Sequence, residues 1–145
     1  MALFPLDIEN AKGHYDEDQK ILIVAYSGTL APAVTAEMYV WLAKLAAENP
    51  HLLHEVKGAV FDFRQVTKFT KSNLLTMRRE SGVANAQFDM GHVPVALIAS
   101  SLRQEQQLYL TLRFSSEESR KRVVNSMEEA KSFFEKFRAG MGIVE

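Results

Sequence analysis

A chain of 145 residues without cysteine fits one domain, and it has no disulfide frame, thiolate metal site or cysteine nucleophile. Hydrophobic residues make up 47% and charged residues 24%, the balance of an ordinary globular protein with enough apolar material for a core. The net charge of −1 gives no global electrostatic case for nucleic acid.

The start, Met1 to Pro5, lacks a basic segment followed by a long apolar run, and no apolar stretch reaches the length of a membrane span. A cytoplasmic protein without stable membrane insertion is therefore expected. With no linker and no repeat, residues 1–145 are expected to form a single domain.

Leu6 and Ile8 alternate with Asp7 and Glu9, a weak strand pattern, and Tyr15 to Asp18 reads as a turn. The run Lys20–Tyr26 is β-branched, aromatic and continuously apolar, which predicts a central strand paired with the first as a hairpin. Pro32 suits a first helical turn. Val34, Met38, Trp41, Leu42 and Leu45 then recur at helical spacing up to about Glu48, before Asn49 and Pro50 end the pattern.

Gly58–Phe63 predicts the next strand, and a helix follows from Thr70 to about Ala86, with Leu74, Met77 and Ser81 inward and Arg78 and Arg79 outward. Val93–Ala99 is a further strand, with Pro94 tolerable at its start. Ser101 and Gln104 have the spacing of a capping box, and the helix they open carries Leu102, Gln106, Tyr109, Leu110 and Phe114. Lys121–Val124 predicts a short edge strand. Ser126 and Glu129 form a second capping box, before a helix striped by Met127, Ala130, Phe133, Phe134 and Phe137. The order is ββαβαβαβα, which implies an α/β fold: a mixed, mostly parallel five-stranded sheet with covering helices and right-handed crossovers.

The chain lacks the nucleophile elbow, the zinc-binding HExxH motif, the P-loop and the dinucleotide fingerprint. His51 and His54 are three apart but lie in an expected loop, and no carboxylate stands at a metal-binding spacing, so neither metal nor cofactor is expected. Asp62, inside an apolar strand, is the one carboxylate out of place. At a strand's C-terminal end it could act as an acid or base, or it could accept backbone N–H groups and pin the following turn, and the second role is preferred. From Arg64 to Glu80, five basic residues (Arg64, Lys68, Lys71, Arg78 and Arg79) face Glu80 alone, which reads as a solvated helix face or as a binding patch. Thr70, Lys71 and Ser72 at a helix start would also suit an anion, with Thr70 as the N-cap.

The segment Val60-Phe61-Asp62-Phe63-Arg64-Gln65-Val66-Thr67-Lys68-Phe69-Thr70-Lys71-Ser72-Asn73-Leu74 resembles the signature of STAS domains, the anti-sigma-factor antagonist fold. In that signature a strand ending in Asp leads to Asp-Ser-Ser-Gly-Leu at a helix start. Tyr26-Ser27-Gly28-Thr29-Leu30 looks like the family's turn after its second strand. The resemblance runs from about Ile8 to Phe137 and is nearest to the uncharacterised SpoIIAA-like branch, which shares STAS and Sec14-like architecture. Lys71 stands where the family carries its phosphorylated serine, and Ser72 matches the second serine. A lysine accepts no phosphate, so the family's phosphate-driven partner switch does not carry over at that position.

The resemblance implies a non-enzymatic binding or regulatory module, acting by protein–protein contact in signalling through the loop and helix from Lys68 to Arg79. The alternative is a carrier or sensor of a small apolar ligand or lipid, in a Sec14-like pocket lined by Phe69, Leu74, Tyr109 and Phe114. An enzyme using Asp62 or a histidine is the weakest of the three. An exposed strand edge or apolar helix face leaves a homodimer open.

Overall fold

β-branched and aromatic runs fill both sides of the central strands, and they assemble side by side. A computed structural model describes residues 3–70, 72–73, 75–77, 79–80, 83, 92–113 and 120–140. The strands are β1 (Leu6–Ile8), β2 (Ala11–Asp16), β3 (Ile21–Leu30), β4 (Gly58–Phe69), β5 (Val95–Ile98) and β6 (Lys121–Val124). Among the described residues they form one six-stranded sheet in the order β1-β2-β3-β4-β5-β6. The first two pairings are antiparallel, and β3 to β6 run parallel.

The helices are α1 (Pro32–Glu48), α2 (Leu52–Glu55), α3 (the helical residues 72–73, 75–77, 79–80 and 83), α4 (Leu102–Arg113) and α5 (Met127–Gly140). Right-handed crossovers between successive parallel strands place their helices on one face of the sheet. Buried α1 residues and Leu108 of α4 share one core cluster with Val24, Ala59, Phe63 and Leu97. On the opposite face Ala130, Phe133 and Phe134 of α5 pack on Ile21, Val60, Ala96, Ile98 and Val124. β5 alternates between the two clusters, which is why it is apolar throughout.

The expected five strands become six. β2 buries Ala11, Gly13 and Tyr15 and exposes Lys12 and His14, a period-2 strand whose inward positions are mostly too small to register as hydrophobic. Gly13 is small where the Trp41 ring lies: a Cβ on it would stand 3.1 Å from that ring. The turn therefore falls later, where Asp16 Oδ1 accepts the N–H groups of Asp18 and Gln19 at 3.1 and 3.0 Å.

β3 and β4 also outrun their expected ends at Tyr26 and Phe63. Ser27 to Leu30 pairs with Gln65 to Phe69 across two register shifts, the bulges that accommodate extra residues in β4. Gly28, at φ 68°, takes the left-handed conformation where Asn10 holds the backbone of Ser27 by two hydrogen bonds. Beyond β5 the exposed edge of β4 is closed by α4, whose Gln104 Nε2 donates to the carbonyls of Arg64 (3.3 Å) and Val66 (3.1 Å).

That duty rotates α4 away from its expected orientation. Leu108 is fully buried, whereas Leu102 is 70% and Tyr109 54% exposed. α3 is described only in part. Among its described residues Asn73 and Thr76 are buried, Met77 is half-buried and Leu75 is exposed. The expected inward Leu74 and Ser81 lie outside the described residues. Both serines cap: Ser101 Oγ accepts the N–H of Gln104 at 3.2 Å and Ser126 Oγ that of Glu129 at 3.1 Å. The returning Gln104 and Glu129 side chains accept the N–H of the residue before each cap, Ser100 and Asn125, at 2.8 Å.

Candidate functional site

Among the described residues, Asp62 and the start of α3 lie on opposite faces of the sheet. Strand alternation puts Asp62 on the α5 side with Val60, whereas α3 opens on the α1 side. Asp62 Oδ1 accepts the backbone N–H and the Nε–H of Arg64, both at 3.0 Å, and Oδ2 accepts its Nη2 at 2.7 Å. This clasp sits at the first bulge, where the ladder leaves an N–H to be satisfied. The carboxylate raises the Arg64 guanidinium pKa above its ordinary value, first by hydrogen bonding and then by its charge.

Lys68, Ser72 and Arg79 are exposed, and Thr70 and Phe69 are half-buried. Thr70 donates its hydroxyl to the carbonyl of Leu30 at 3.1 Å, tying the end of β4 to the end of β3. Phe69 continues an aromatic row, its ring 6.1 Å from Phe63, which stacks on Tyr26 at 5.0 Å. Tyr109 sits on the outer face of α4. Lys71, Leu74, Arg78 and Phe114 lie outside the described residues.

The polar contact that joins α1 to α3 involves residues with no sequence signal. Thr35 Oγ1 donates to Asn73 Oδ1 at 2.6 Å, and both residues are 2% exposed. A buried pair of this kind fixes the approach of two helix starts, because either partner alone would lack its hydrogen bond.

A cleft of about 200 Å³ opens at the other end of these helices. One wall is α1, through Tyr39, Val40, Leu42, Ala43 and Ala46. The floor is Tyr15, Leu22 and Ala59 of the sheet, and α2 with Val56 closes one side. Glu80 and Val83 of α3, with Val93 before β5, complete it. The lining is almost wholly apolar. Tyr15 donates its hydroxyl to Glu55 Oε1 at 3.0 Å. Burial, followed by that hydrogen bond and the charge of Glu55, pushes the Tyr15 pKa well above its ordinary value. His92 Nε2 donates to the carbonyl of Leu53 at 2.6 Å, linking the approach to β5 with α2.

Phe69 and Tyr109 do not line this cleft, and Leu74 and Phe114 lie outside the described residues. Its own residues come from six elements and the segment before β5, and their only local trace in the sequence is the apolar excess of α1. His51 and His54 are exposed on or beside α2, and no group of three potential metal ligands occurs among the described residues. Among them, too, no helix is long and apolar enough to cross a membrane.

No protein-family model matches the chain, and no curated protein does. Among solved structures it is similar to an uncharacterised protein of the DUF3478 family from Shewanella loihica PV-4, described as having a SpoIIAA-like fold. The two superpose with a TM-score of 0.61 at 14% identity, over 89% of this chain and 97% of that one. The fold of this chain is SpoIIAA-like.

Proposed function

We propose that this SpoIIAA-like chain is a non-enzymatic binding module whose cleft between α1, α2, α3 and the sheet takes up a small apolar ligand. The observation that carries this reading is the cleft itself: about 200 Å³ with an almost wholly apolar lining. Apolar cavities near 150 Å³ stay dry and take up molecules the size of benzene, so this one accommodates a ligand somewhat larger. Its placement under helices that cover only part of a sheet face suits entry from solvent.

The test is a titration of the full chain with n-octanol, followed by backbone amide NMR, with native mass spectrometry of the protein as purified. Shifts clustered on residues around Ala46, Leu53 and Val93 are the expected result. An Ala46→Phe variant that remains folded by circular dichroism should lose them. Absence of shifts, together with a mass spectrum of the bare chain, overturns the reading.

A second reading, docking to an acidic protein surface, is supported by the basic excess between Arg64 and Glu80, of which Lys68 and Arg79 are exposed. A partner that binds the parent chain and is retained undiminished by the Lys68→Glu/Arg79→Glu double variant would end it.

A further inference from the structure

Glu80 is the one formally charged side chain among the described residues that line the cleft. Its side chain is only 27% exposed, and the contact from Arg79 Nε, at 3.6 Å, comes from a side chain that is 69% exposed. A contact so open to solvent neutralises little of the carboxylate's field. A second carboxylate, Glu55, accepts the hydroxyl of the lining residue Tyr15. Of the other ionisable groups nearby, His92 is turned to the carbonyl of Leu53, and Lys44 of α1 lies over the ring of Phe4, 5.2 Å from its centroid.

A ligand whose tail lies along the apolar lining can set its head group beside Glu80. A carboxylate there would shed water beside like charge, whereas an ammonium would meet Glu80 in surroundings of lowered dielectric. Resting on the ligand-binding role proposed above, we infer that the cleft selects an apolar molecule with a cationic amine head and discriminates against fatty-acid-type carboxylates.

The experiment compares n-octylamine, n-octanol and octanoate against the full chain at pH 7, where the amine is cationic and the acid anionic. Affinities are read from amide NMR shifts of the cleft residues. The expected order is amine, alcohol, carboxylate, with about tenfold between first and last. Glu80→Gln should shrink that ratio by about threefold or more. Octanoate or octanol binding as tightly as octylamine, or an unchanged ratio in Glu80→Gln, overturns the inference while leaving the apolar site standing. Failure of all three probes to move cleft resonances removes the site and the inference with it.

Discussion

The two faces of the sheet are covered in opposite ways. On one, α5 lays an aromatic stripe directly on β3 to β6, with Phe133 and Phe134 at 6.0 Å and Phe133 and Phe137 at 5.9 Å between ring centroids. Gly58 marks how close that approach is, since a Cβ there would fall 2.5 Å from the Phe134 ring. On the other face the helices meet each other as well as the sheet, through a buried threonine–asparagine pair, and leave a cleft. A single helix with a continuous apolar stripe seats itself wholly against a sheet. Several helices sharing a face must reconcile their separate anchor points, and the space left over can hold a ligand.

The sharpest break in this comparison is Phe134→Ala, which should cost roughly 3–5 kcal/mol in urea unfolding if the α5 face is close-packed. A loss below about 1 kcal/mol would mean the face is looser than described. Gly58→Ala should cost about 1–3 kcal/mol by overpacking, and most of that cost should vanish in the Phe134→Ala background. Additive effects would separate the two residues.

On the opposite face Thr35→Val keeps the shape of the side chain and removes the donor to Asn73, for a loss of about 1–3 kcal/mol. An unchanged midpoint would show that the pair does not set the helix approach. Alkaline pH tests the same face. Burial raises the pKa of both Tyr15 and Tyr26, which lie in the α1-side cluster. The unfolded chain therefore releases these protons from about pH 10 while the folded chain holds them. Their contribution is complete below pH 10 and is lost above it, by up to about 1.4 kcal/mol per pH unit for each tyrosine. Trp41, the chain's only tryptophan and part of that cluster, reports this loss by fluorescence. Stability that stays level to pH 11 would contradict it.

The smallest effect is expected from Ala46→Phe, which adds bulk to a cleft instead of a packed core and should change stability by less than about 1 kcal/mol. A penalty matching that of Gly58→Ala would erase the distinction between the faces.

Much of the architecture was legible because it rests on local chemistry. The runs around Ile21, Val60 and Val95 are strands, and they stand side by side as β3, β4 and β5. Ser101 and Ser126 cap the helices they announce. What escaped has a common origin. β2 presents Gly13 inward where Trp41, some thirty residues later in the chain, fills the space above it. α4 presents Gln104 and Leu108 instead of Leu102 and Tyr109, because β4 outruns β5 and its carbonyls need a donor. The cleft has no local signature, since no element contributes more than part of its wall.

By itself the order of apolar runs, turn residues and caps determined a mostly parallel α/β sheet with its helices in sequence, since each of those signals acts over a few residues. Tertiary structure alone decided how far α4 rotates, which polar groups go inside, and where a face of the sheet stays open. Those outcomes depend on hydrogen bonds and ring contacts between residues roughly thirty to forty positions apart, and no window of the sequence contains both partners.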